Sequence, residues 1–309
     1  MRLPVMLVLL LATIAANASN TSTQGLAGTL TIAGSDTLAG AITRAAETFQ
    51  SAHPKVHVQL QTLGSASAVA ALLDGAIDIG SMSRTLSESE RDSLFRRRGS
   101  APRQIAISRD ALAVIVHPEN PLQHISLQQV DAIFAKFPSC GLPPLRRWSD
   151  LGVQLTGLPD DVRILSLGRN AASGTHAFFR VSALCGDDFR DDVVEWPGNG
   201  AVVHAVAKNR EAIGYAAAGS LGAQVRALGI VDDAGNTVSL DAESMRDGRY
   251  PLARELYLVA NGDARGQLRP LTLAFMAYML SDAAQSDLRR EGLQTTSDAE
   301  RAKAGITLK

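Results

Sequence analysis

The stretch Leu167-Gly168-Arg169-Asn170-Ala171-Ala172-Ser173-Gly174-Thr175 gathers residue types that suit an oxyanion. Arg169 brings a permanent, forked cation, and Ser173 and Thr175 bring hydroxyl donors. Gly174 has no side chain to keep an anion off the backbone. The alternating run Val162 to Ser166 reads as a strand entering this turn. From His176 to Leu184 apolar residues recur at helical spacing. Such a junction exposes the free N–H groups of a helix start, and the macrodipole favours negative charge there. Taken alone, the same residues equally make an ordinary helix N-cap beside a surface arginine.

Two further junctions share this character, Gly34-Ser35-Asp36-Thr37-Leu38 and Gly64-Ser65-Ala66-Ser67. If their helices converge with the first, the pocket holds several neutral donors and one Arg, which suits a small tetrahedral oxyanion. A nucleotide fits less well, because neither Gly-x-x-x-x-Gly-Lys-Ser/Thr nor Gly-x-Gly-x-x-Gly occurs. Ser35, Asp36 and His176 have the residue types of a hydrolytic triad, but the Gly-x-Ser-x-Gly elbow is absent. His53 and His57 straddle Pro54, so one helix face cannot hold both as metal ligands. We therefore expect no enzyme, no metal and no cofactor.

The positioning elements follow from the apolar period. Leu30 to Ala33 reads as a strand, Leu38 to Phe49 as a helix ending before Pro54, and Val56 to Leu60 as a second strand. A helix opens at Gly64, and Ala76 to Gly80 is a third strand. This alternation implies a parallel sheet with crossover helices. Ser87 to Arg98 is a helix with a Ser-x-x-Glu start, whose Arg96-Arg97-Arg98 tail answers its own dipole. Ala111 to Val116 is a strand, and Ser126 to Phe134 is a capped helix. Proline and glycine cluster between 138 and 161, which reads as an irregular surface connection. Beyond it come a helix after Trp196 to Gly200, strands at Ala212 to Ala216 and Leu256 to Ala260, and helices from Leu271 to Ser281 and Asp282 to Glu291.

The 309 residues allow two domains, and 46% hydrophobic with 20% charged residues is ordinary for a globular chain. Lys+Arg 30 against Asp+Glu 31 leaves a net charge of −1, so there is no basic field for nucleic acid. Arg2 followed by the short apolar run Val5 to Ala16 and by Ala16-Asn17-Ala18 reads as a cleavable signal peptide over 1–18. No Cys follows closely enough to carry a lipid. Export places Cys140 and Cys185 in an oxidising compartment, where both a disulfide and two free thiols are open to them.

In order along the chain stand Asp78-Ile79-Gly80-Ser81-Met82-Ser83-Arg84, Asp110 to Pro121, Val130 to Phe134, Trp148 to Gly152, Arg169 to Thr175, and Gly198 to Tyr215. With this ordered set, the sequence resembles the phosphate-binding protein family of ABC-type phosphate importers, from about Thr29 to Gly292. The resemblance implies an α/β, two-lobed periplasmic binding protein fold. Each lobe would be a mainly parallel sheet flanked by helices, and two crossover strands would join them near Asp110–Ala113 and Arg254–Leu256. Lobe 1 would span 25–112 and 254–309, and lobe 2 would span 113–253. By motif position, Thr37, the N–H of Leu38, Ser65 and Ser83 would meet phosphate from one lobe. Arg169, Ser173, Gly174 and Thr175 would meet it from the other. The partners implied are inorganic phosphate and a membrane ABC permease, with the protein a periplasmic monomer.

Three positions depart from the family pattern. Ser83 stands where well-studied members place an Asp that accepts the proton of bound phosphate, which leaves the choice between phosphate and sulfate open. Ala171 stands where some members place an acid, so the resemblance leaves Arg169 without a nearby carboxylate. The loop Ser139 to Pro144 also differs. Sensing or scavenging of phosphate without a permease would use the same pocket.

Overall fold

The same three-strand parallel unit is built on either side of one long strand. The computed structural model describes residues 25–232 and 234–306, so the signal peptide expected over 1–18 lies outside the described residues. The chain runs β1 (Gly28–Gly34), α1 (Ala39–Ala52), β2 (Val56–Gln61), α2 (Ser65–Asp74), β3 (Ile79–Met82), α3 (Glu88–Arg98) and β4 (Arg103–Val116). It continues through β5 (His124–Ser126), α4 (Leu127–Phe134), β6 (Leu165–Arg169), α5 (Gly174–Ala183), β7 (Val194–Trp196), α6 (Asn199–Lys208) and β8 (Ala212–Ala217). Short strands β9 (Arg226–Ala227), β10 (Gly229–Val231) and β11 (Thr237–Val238) precede α7 (Ala242–Arg246). The chain then returns through β12 (Ala253–Ala260), α8 (Pro270–Met279), α9 (Asp282–Arg290), β13 (Gln294–Thr295) and α10 (Asp298–Lys303).

In the first lobe β1 pairs in parallel with β2 and β3. In the second, β6 pairs in parallel with β7 and β8. β4 belongs to both, because Arg103 to Ala111 pair antiparallel with β12 and Leu112 to Val116 pair antiparallel with β8. The resulting order is β2-β1-β3-β12-β4-β8-β6-β7. Helices cover the faces, as parallel units require.

The apolar faces bury where the sequence period placed them. In the first lobe Ile42 and Phe49 of α1 meet Phe275 and Met279 of α8 over Leu30 and Ile32. In the second, Phe134, Trp148, Phe179 and Tyr215 pack together, with Phe179 stacked on Tyr215 at 3.8 Å between ring centroids. Burying one such side chain stabilises by about 1.5–3 kcal/mol, so these clusters hold each lobe rigid around its loops.

Some local expectations shift. The third strand starts at Ile79 rather than Ala76, because Asp78 closes the entry by bonding Thr31 with both its N–H and its carboxylate. The strand expected to end at Ser166 continues to Arg169, which places the arginine at the strand's very end. The segment 138–161 is irregular but not purely superficial. It sends Trp148 fully into the core, with Nε1 donating to the carbonyl of Glu211 at 2.9 Å.

Cys140 and Cys185 form a disulfide with Cα atoms 6.0 Å apart, tying this segment to the end of α5 across 45 residues. A loop of that length is worth roughly 4 kcal/mol through restriction of the unfolded chain. Replacing both cysteines by serine is therefore expected to lower the unfolding free energy by an amount approaching that value, with a lower denaturant midpoint. An unchanged midpoint in equilibrium unfolding would contradict this.

Candidate anion-binding site

Four helix N-termini converge where the lobes meet. α1 starts after the tight turn Asp36–Leu38, α2 at Ser65, α5 at Gly174 and α6 at Asn199. Each brings N–H groups that its own ladder leaves free, together with the positive end of a macrodipole. Leu38 is buried at the head of α1, so its amide faces protein interior rather than bulk water. The lobes touch closely here: the N–H of Ala66 donates to the carbonyl of Ala172 at 3.1 Å. Gly64 has φ +93, and a Cβ there would strike that same carbonyl. A Cβ on Gly174 would collide with the hydroxyls of Ser65 and Ser83. Glycine at both positions is what allows the two helix starts to meet.

The hydroxyls are held in one sense. Ser65 Oγ accepts from the N–H of Ser83 at 3.1 Å and lies 3.4 Å from Ser83 Oγ. Ser173 Oγ caps α5, accepting from the N–H of Thr175 at 3.1 Å and of His176 at 3.4 Å. Thr175 Oγ1 accepts from Arg254 at 3.1 Å. Thr37 Oγ1 accepts from Asn199 Nδ2 at 3.2 Å and from Arg254 at 3.4 Å. With an N–H already on each oxygen, these hydroxyls have their protons left to give. Ser65, Ser83, Ser173 and Thr175 are buried, and Thr37 is half-buried.

The cations are paired. Arg169, 1% exposed, lies 2.8 Å from Asp36 Oδ1 and also donates to the carbonyl of Pro197 at 2.8 Å. Asp36 Oδ2 takes further bonds from the N–H and Nδ2 of Asn199, each at 3.1 Å. The resemblance left Arg169 without an acidic partner because Ala171 occupies the local position. The structure corrects this: the carboxylate comes from the other lobe. Nε of Arg169 and Oγ of Ser35 are buried with no partner among the described residues. Arg254 lies 3.0 Å from Asp110, and both side chains are 1% exposed. Burial pushes the Asp110 carboxyl above its usual range, and the neighbouring guanidinium opposes that rise.

All eight residues expected at the site thus lie at this junction: Thr37, Leu38, Ser65 and Ser83 on one side, Arg169, Ser173, Gly174 and Thr175 on the other. Asn199, Arg254 and Asp110 were not among them. The adjacent charges Arg109-Asp110 on β4 and Arg254-Glu255 on β12 were the signal available for two of these. No hydrogen bond links the three triad types to one another among the described residues. His176 packs on Phe189 at 4.4 Å between ring centroids, and burial lowers its pKa to about 4. Asp36 bonds Arg169 and Asn199 rather than His176. No cluster of His, Cys, Asp and Glu able to hold a metal occurs among the described residues.

A cleft of about 480 Å³ adjoins the junction, walled by Arg84, Glu90 and Tyr257 from one lobe and Phe178 and Val181 from the other, with Arg254 between. Arg84 pairs with Glu90 at its rim at 2.7 Å. Burial disfavours ionisation of Glu90, but the bonds from Arg84 and Ser87 outweigh it and hold the carboxyl below its usual range.

Comparison with known proteins places this architecture. The model of the PBP superfamily domain matches residues 19–283. The phosphate-binding protein PstS of Pseudomonas aeruginosa is 36% identical over 270 residues, covering 87% of this chain and 83% of that protein. PstS of Bacillus subtilis is 27% identical over 262 residues, covering 84% and 78%. Among solved structures, a protein from Clostridium perfringens with bound phosphate superposes with a TM-score of 0.73 at 22% identity, over 87% of this chain and all of that one. An ABC-type phosphate transport receptor from Vibrio cholerae gives 0.68 at 22%, with the same coverage. The chain belongs to the PBP superfamily and, within it, to the family of the PstS phosphate-binding proteins.

Proposed function

We propose that this protein captures inorganic phosphate between its two lobes and delivers it to a membrane ABC permease, without catalysing a reaction. The observation that carries this reading is the set of four hydroxyls, Thr37, Ser65, Ser173 and Thr175, whose oxygens already accept N–H bonds and whose protons converge with four helix starts and Arg169. Such a set replaces the water shell of an oxyanion with donors fixed beforehand. The names of its relatives support phosphate as the anion.

In this reading the anion's charge is spread over dipoles and one guanidinium. Arg169 binds it as a forked cation, while Asp36 keeps that arginine oriented and offsets its charge. Asp36 also supplies what Ser83 does not. A carboxylate beside the site accepts a proton from phosphate and repels sulfate, which has none to give. The units 25–112 with 254–309, and 113–253, would close on the ligand by hinge motion at β4 and at the entry to β12. A single chain carries the whole site, so the reading needs only a monomer. The family's exported members and the segment 1–18 support a periplasmic protein made with a cleavable signal peptide.

Titration calorimetry tests the ligand. Phosphate is expected to bind and sulfate to bind at least tenfold more weakly; no heat with phosphate, or tighter sulfate, would overturn the reading. Arg169→Ala removes one half of a buried charge pair and is expected to weaken phosphate by about 100-fold or more. Wild-type affinity in that variant would remove Arg169 from the site. Asp36→Asn keeps the shape but not the charge, and is expected to narrow the gap between phosphate and sulfate. An unchanged ratio of the two dissociation constants would show that Asp36 does not discriminate between them.

A further inference from the structure

Arg254 touches more of the junction than any single contact suggests. It stands on β12 directly across from Asp110 on β4, in register, at the strands shared by both lobes. One terminal nitrogen donates to the Ser83 carbonyl at 3.2 Å and to Thr175 Oγ1 at 3.1 Å. The other donates to Asp110 at 3.0 Å and to Thr37 Oγ1 at 3.4 Å. The guanidinium carbon also lies 5.6 Å from the centroid of the Phe178 ring, one turn beyond Thr175 on α5. Thr37, Ser83 and Asp110 come from one lobe, and Thr175 and Phe178 from the other.

We propose that Arg254 is the positioning residue of the site, fixing the hydroxyls of Thr37 and Thr175 as donors and latching the lobes in the closed arrangement. This rests on the phosphate reading above. Arginine has five N–H donors and no acceptor, so every oxygen it touches must accept. Thr37 and Thr175 are thereby barred from turning their protons towards Arg254, and those protons are left for the anion. Asp110 neutralises the guanidinium, so Arg254 orients the site without adding a second net charge that would compete with Arg169. Its planar head lines the cleft of about 480 Å³ while it bonds both hydroxyls, so it screens them from solvent entering through that cleft. Excluding water strengthens each bond to the ligand. A lysine at this position would keep the charge but lack the fork that reaches both threonines.

Single removal of Arg254 strands a buried carboxylate, so the decisive variants avoid that. Arg254→Lys retains a cation for Asp110, and the double variant Arg254→Met/Asp110→Leu removes both charges together, a replacement that buried ion pairs commonly tolerate. Thermal melts of both are expected to show folded protein. Phosphate titration is expected to show about tenfold or greater weakening in each, the size of losing one or two charge-assisted bonds. Thr175→Val is expected to weaken phosphate strongly in the wild-type background and much less in Arg254→Met/Asp110→Leu, because the hydroxyl is no longer held as a donor there. Equal losses in both backgrounds, or wild-type affinity in Arg254→Lys, would overturn the proposal. Wild-type protein that binds no phosphate would instead overturn the functional reading on which this one rests.

Discussion

The site depends on one steric constraint, the approach of the α2 and α5 helix starts across the two lobes. Gly64 and Gly174 let Ser65, Ser83 and the backbone of Ala172 come together without intervening side chains. Around that contact α1 and α6 bring their own N-termini through the bonds of Asn199 to Asp36 and Thr37. Four dipole ends of one sign in a buried volume are unfavourable unless something negative answers them. Asp36 and Asp110 answer the two arginines, Arg169 and Arg254, and beyond the bond from Asn199 to Asp36 the helix starts meet neutral oxygens, the Ser173 hydroxyl on α5 and the Ala172 carbonyl on α2. That residual field is what an oxyanion would satisfy.

The pairing of charges explains why the site needs both lobes. Arg169 ends β6, yet its carboxylate partner lies 133 residues away in the first lobe. Arg254 likewise draws acceptors from both sides of the junction. Opening the lobes would separate Arg169 from Asp36 and Arg254 from Thr175, so closure carries electrostatic as well as steric content. β4 passes unbroken from its pairing with β12 to its pairing with β8 at Ala111 and Leu112, which makes it the natural place for the change in angle.

Much of this was legible in the sequence because its signals are local. The small-residue turns at Gly34, Gly64 and Ser173 mark helix starts by their own chemistry, and the apolar periods of α1, α5 and α8 name the faces that bury. Asp36 was visible as part of a turn and as one of three triad residue types, but nothing in its neighbourhood encodes a distant arginine. Asn199 follows a Trp-Pro-Gly turn and looks like an ordinary helix start. Asp110 and Arg254 each sit beside a second charge, Arg109 and Glu255, and their pairing is a matter of register between β4 and β12. The burial of Trp148 is also non-local: its anchor is the carbonyl of Glu211, far along the chain.

The central claim is a location, an oxyanion enclosed by four helix starts between the lobes, and arsenate reports location directly. It has the size and charge of phosphate, and arsenic scatters anomalously. A crystal of the protein grown with arsenate should show a single strong anomalous peak within hydrogen-bond distance of Ser65, Ser173, Thr175 and Arg169. A peak elsewhere, or none at this junction at saturating arsenate, would contradict the account.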